Sequence, residues 1–259
     1  MEGHKESFKN KYIKYKNRFL KLKLYSEIEN NVNSISTKNK FNKKIIESIF
    51  NSVNIVSNNI DKFKKYINLP YEVGGYFDLI NNTFLHTASG TVESQTLDSL
   101  DIFTLNVNNR IDWHTHSSIY KPQIFTDKNF TTKENYKGKW INASPSSTDY
   151  QTNANASFYA YEEIPKDMVI SCVISKYGLY FYWIQQKMLE FINSEKENKD
   201  IIINEYLIDN LNNDTMKGMN HTDGYEIQEI QRLTRKSFNE EMGFDSVFIP
   251  IEKIEIKID

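Results

Sequence analysis

Two histidines one residue apart, His114 and His116, close the run Ile111-Asp-Trp-His-Thr-His116 behind a short apolar lead-in. If that lead-in is a β-strand, side chains alternate between faces and both imidazoles point the same way. Two imidazoles on one face can chelate one metal ion, and zinc takes such nitrogens at roughly 2.0–2.1 Å. The chain holds five histidines, His4, His86, His114, His116 and His221, so the pair uses two of a small supply. A His-x-His pair alone also suits two polar residues at a strand end, and its meaning depends on what surrounds it.

Carboxylates and turns must be brought to the pair by other elements. Residues 71–80 and 83–88 alternate as a β-hairpin about a turn at Asn81-Asn82, with Glu72 at its start and Gly74-Gly75 marking a bulge or a close backbone approach. Asp101–Val107 reads as a strand or short helix before the histidine strand. Residues 117–143 form a long irregular stretch of the kind that often lines active sites. Ser144 to Asp149 opens a helix, and Ser146 and Asp149 have the spacing of a capping box. Met168–Ser175 and Gly178–Trp183 form a second hairpin whose near-continuous apolar runs predict burial on both faces. Gln185–Ser194 and Tyr225–Met242 read as helices, the latter stopped by Gly243, with a weaker helix at 200–212. Ser246–Lys257 reads as an edge strand in which Pro250 is tolerated.

The N-terminal quarter is helical in pattern. Phe8, Tyr12, Tyr15, Phe19 and Leu22 recur at spacings of four, three, four and three among Lys9, Lys14, Lys16, Lys21 and Lys23. Such a basic amphipathic helix can bind an acidic partner or a membrane surface, or pack on its own domain with a solvated lysine face. Residues 30–40 read as a polar linker. Ile46, Ile49, Val53, Val56, Ile60, Phe63 and Ile67 then follow one helical seam that Pro70 ends.

Composition sets the outer bounds. With 259 residues the chain can bury a sizeable core, and 14% aromatic content offsets a hydrophobic fraction of 39%. A formal net charge of −2 offers no global basic field for nucleic acid. Cys172 is the single cysteine, which excludes an intrachain disulfide and a cysteine-based zinc cluster, and its apolar surroundings predict a core position. The lysine-studded start lacks the apolar region of a signal peptide, and no apolar run is long enough to span a membrane. The expected setting is intracellular and cytoplasmic.

Taken together, Glu72 in a Glu-x-Gly-Gly strand, His114-Thr-His116 on a later strand and Ser146-Ser-Thr-Asp149 opening a helix resemble the JAMM metalloprotease family, the catalytic branch of the MPN domains. Its motif is a glutamate, then His-x-His-Pro, then Ser-x-x-Asp, and the resemblance covers roughly residues 67–184. It implies an α+β fold, a curved mixed β-sheet flanked by helices, and the basic helical pattern over 1–66 would be an N-terminal extension to it. The domain would then run from 67 to 259, with an insertion at about 117–143 and a helix–strand C-terminal extension. It also implies a zinc-dependent isopeptidase acting on ubiquitin or ubiquitin-like conjugates. His114, His116 and Asp149 would ligate Zn2+ and leave a fourth position for water. Glu72 would be the general base, and Ser146 would hydrogen-bond the oxyanion.

The chain departs from that pattern where Ser117 replaces the family proline, and in the long gap from His116 to Ser146. On residue type alone, Glu93 or Asp78 could serve as the base and Asp112 as a ligand. The same fold without catalysis would be a scaffold that binds ubiquitin-like or other partner proteins. Asp112-x-His-x-His-Ser117 also resembles the opening of the polymerase-and-histidinol-phosphatase phosphoesterases, which need further downstream histidines, whereas only His221 follows here.

Overall fold

The computed structural model describes residues 2–35, 42–89, 109–116, 145, 147–163, 169–194 and 243–254. Three helices lead the chain: α1 (Glu2–Ile35), α2 (Asn42–Asn58) and α3 (Ile60–Ile67). The polar stretch expected to be a linker from residue 30 is helical as far as Ile35. Ile28 and Val32, one turn apart, are buried and carry the helix through its asparagines. The single seam expected from Ile46 to Ile67 is two helices. The chain turns at Asn59 (φ −126°, ψ 25°), whose side-chain amide donates to the Ile55 carbonyl at 2.9 Å.

The sheet has six strands: β1 (Val73–Asp78), β2 (Thr83–Ser89), β3 (Arg110–Thr115), β4 (Ser171–Ser175), β5 (Gly178–Ile184) and β6 (Phe244–Pro250), in the order β2-β1-β3-β4-β5-β6. All neighbours are antiparallel except β3 and β4, which run parallel with Trp113 opposite Cys172. Parallel neighbours need a crossover, and helix α4 (Ser147–Glu163) lies within it. Helix α5 (Gln186–Ser194) follows β5, and the short α6 (Ile251–Ile254) follows β6. The expected terminal strand thus stops at Pro250. Ile251 and Ile254, three apart, turn their side chains by a helical rather than a two-residue repeat, and Ile254 is buried. The expected elements at 101–107, 117–143, 200–212 and 225–242 lie outside the described residues.

The result is a mixed α/β architecture with the sheet between two helical layers. Ile111, Trp113, Cys172, Phe181, Trp183 and Val247 share one apolar cluster with Leu24, Ile28 and Val32 of α1 and with the inner faces of α2 and α3. Phe63 is its hub, with ring centroids 4.9 Å from Phe84 and 5.2 Å from Trp113. The opposite face is covered by α4, where the Tyr150 ring packs at a tilt 5.0 Å from Tyr182 and edge-on 4.9 Å from Phe244. With both faces covered, β4 and β5 are buried along their whole lengths, as their unbroken apolar runs predict. The expected bulge is present. The β1–β2 register shifts between Gly74 and Gly75, and a Cβ on Gly75 would run into the Leu85 carbonyl oxygen.

Candidate metal centre

The alternation of β3 decides what each residue can do. Ile111, Trp113 and Thr115 are buried on the α1–α3 side, while Arg110, Asp112 and His114 face the α4 side. His116 lies one residue beyond the strand, and its backbone N–H donates to the Ile174 carbonyl at 2.9 Å, which prolongs the β3–β4 ladder. The two imidazoles therefore meet as the spacing predicts, with Nε2 atoms 3.2 Å apart and ring centroids 5.0 Å apart.

Two further elements converge on them. Asp149 occupies the first turn of α4, within the crossover from β3 to β4. Its Oδ1 lies 3.3 Å from His114 Nε2 and its Oδ2 3.5 Å from His116 Nε2. Glu72 sits just before β1 rather than within it. The register Gly74↔His114, continued by two residues, sets Glu72 across from His116, and Oε1 lies 3.8 Å from His116 Nε2. Thr115 holds this end of the chain in place, because its hydroxyl accepts the Val73 N–H at 3.0 Å across the strand ends.

The donor set fits a divalent cation. One ligand atom from each of His114, His116 and Asp149 falls within 4.8 Å of the others. Ligands at roughly 2.0–2.1 Å around a tetrahedral ion stand about 3.3–3.4 Å from each other. The 3.2 Å between the two imidazole nitrogens is close to such an edge, and Asp149 presents a different oxygen to each imidazole, at 3.3 and 3.5 Å. Two imidazole nitrogens and a carboxylate in this arrangement can hold a metal ion and leave a position for solvent. His116 Nδ1, which carries the proton when Nε2 is the ligand, is buried with no hydrogen-bond partner among the described residues.

The charges point the same way. Burial works against the charged form of His114, yet the Asp149 carboxylate beside it, with Glu72 behind, outweighs that effect and pushes its pKa up to about 9. Burial likewise opposes the Asp149 charge, and the two imidazoles overcome it, holding the carboxyl well below its usual range. The pocket thus favours positive charge between these side chains, whether as a proton or as a metal ion.

The other candidates separate clearly. Asp112 is held by Arg110, whose Nε donates to Oδ1 at 2.6 Å, while the guanidinium lies over the Tyr76 ring at 4.5 Å. Asp78 caps the β1–β2 turn, accepting the backbone N–H groups of Ile80 and Asn81 at 3.0 Å each. Cys172 is buried in the core, as expected. Ser146 and Glu93 lie outside the described residues, as does His221.

The positioning groups Thr115 and Asn153 were not anticipated. Asn153, one turn after Asp149, donates to Ser171 Oγ at 2.8 Å and to the Val169 carbonyl at 3.3 Å. It fixes the rotation of α4 against the start of β4. Its spacing of four from Asp149, on one helix face, was the signal available for it. Among the described residues, no helix is long and apolar enough to cross a membrane. In comparisons with known proteins, the chain matches no family model, no curated protein and no solved structure.

Proposed function

We propose that this chain is a zinc-dependent metallopeptidase of JAMM type that hydrolyses the isopeptide bond joining ubiquitin or a ubiquitin-like protein to an amine. The observation that carries the reading is the meeting of His114, His116 and Asp149 within chelating reach of one another, with Glu72 alongside. Three sequence-distant elements have to cooperate to produce it. The α+β fold with a mixed sheet between helices is the architecture that the resemblance implies.

In this reading His114 Nε2, His116 Nε2 and an Asp149 oxygen hold the ion. A bound zinc ion lowers the pKa of its water to about 7 and polarises the scissile carbonyl. Glu72 supplies the proton traffic: its carboxylate takes the proton of the attacking water and returns it to the leaving amine nitrogen. Ser146, as hydrogen-bond donor to the oxyanion, is carried by the resemblance alone. The pairing of His114 with Asp149 keeps the first imidazole aimed at the site before metal arrives.

Zinc content of the full chain, measured by elemental analysis, tests the metal, and cleavage of a panel of ubiquitin and ubiquitin-like conjugates tests the reaction. The expected results are one zinc per chain, its loss in His114→Ala and Asp149→Ala, and cleavage by the wild type. Glu72→Gln should keep the zinc and lose roughly 10²–10⁴-fold in rate. A chain that never takes up stoichiometric zinc would be a binding scaffold instead, and full activity in Glu72→Gln would remove Glu72 from the mechanism.

A further inference from the structure

Helix α1 carries two apolar stripes with different fates. Leu24, Ile28 and Val32 enter the core, whereas Tyr12, Tyr15, Phe19 and Leu22 are 68%, 69%, 66% and 61% exposed. The exposed four are spaced three, four and three, the a/d spacing of a coiled-coil seam. With Tyr12 and Phe19 at a and with Tyr15 and Leu22 at d, the flanking e and g positions are Lys11, Lys16, Arg18 and Lys23. All four are basic and exposed. A cavity of about 730 Å³ beside this half of the helix, bounded by Phe50 of α2, shares Arg18 and Leu22 with the seam.

The charge pattern selects among occupants. In a parallel pair of two such helices, g faces e and every border contact is basic against basic; an antiparallel pair sets e against e and g against g, with the same result. A second copy is therefore disfavoured in either orientation. A bilayer interface takes a broad apolar face with polar residues opposite it. Here the exposed face is one seam bounded by cations on both sides, and the core stripe begins on the other side at Leu24. We infer that the first half of α1 docks an amphipathic helix of a partner protein, apolar at a and d and lined with Asp or Glu at e and g. This surface is separate from the metal centre and does not depend on the proposed reaction.

The probe is a synthetic heptad peptide with Ile at a, Leu at d and Glu at e and g, titrated into the full chain. The expected result is one-to-one binding that weakens as salt rises. The K11E/K16E/R18E/K23E variant should lose about tenfold or more in affinity and gain affinity for the Lys counterpart of the peptide. Because all four side chains are exposed, circular dichroism and the melting temperature should match the wild type, so lost binding reports the interface rather than the fold. The inference is overturned if the acidic peptide does not bind, or binds both chains equally. It is also overturned if the chain alone dimerises through this seam in sedimentation, or if it sediments with phosphatidylserine vesicles while ignoring the peptide.

Discussion

His114 and Asp149 set each other's charge, and a stability trend follows from that. Without metal, His114 titrates at about 9 in the folded chain against 6.5 in the ordinary case, so the folded state holds its proton more tightly. A raised pKa contributes stability that is complete below the unfolded value and disappears as pH climbs through the folded one. Asp149, held low, contributes above its ordinary 3.8 and loses that contribution only as pH falls through its depressed value. Together they favour the metal-free fold most between about 4 and 6.5. The Tm advantage of the chelated wild type over Asp149→Asn should accordingly shrink as pH rises from 6.5 to 9. An advantage that holds or grows over that range would mean the two side chains do not form an ion pair. Zinc must displace the same proton, so its apparent affinity should climb with pH across the neutral range.

At the level of elements, the close approach at Gly75 is the tightest constraint near the site. A methyl there would meet the Leu85 carbonyl, so Gly75→Ala should cost about 1–3 kcal/mol by overpacking, read as a lower urea midpoint. The same bulge was visible in the sequence, because two adjacent glycines inside an alternating strand have few other uses. The histidine pair was legible for a similar reason: a period of two fixes the face whatever the rest of the chain does. The approach of Asp149 was harder to see. It depends on β3 and β4 being parallel neighbours, and no local pattern in residues 110–175 encodes that adjacency; only the resemblance suggested it. The break at Asn59 was hidden because Ile60 and Phe63 keep the three-four spacing across it. Ile251 and Ile254 misled in the opposite sense, since a short apolar run satisfies a strand and a helix equally. Asn153 and Thr115, which hold α4 and the start of β1 in place, are ordinary polar residues until the strands are paired.

Across the whole molecule, the first three helices and the sheet share one core, with Phe63 at the junction. Its ring touches Phe77, Phe84 and Trp113 on the sheet and Tyr66 on its own helix. Phe63→Ala should cost about 3–5 kcal/mol. Phe191→Ala, at a ring that is 54% exposed, should fall within about 0.5 kcal/mol of the wild type. Equal effects in a chemical denaturation series would mean that the helices are not anchored there.

The parallel pairing of β3 with β4 also has a kinetic consequence. The imidazoles are delivered by a strand beside a local hairpin, whereas the carboxylate comes from the first turn of α4, within the long crossover between β3 and β4. Contacts that close such a long excursion form late, because the entropy of the excursion must be spent first. A metal bound there is therefore a latch rather than a seed. Adding zinc should leave the refolding rate of the chelated chain nearly unchanged and slow its unfolding, so that the ion governs how long the molecule survives more than how quickly it is made.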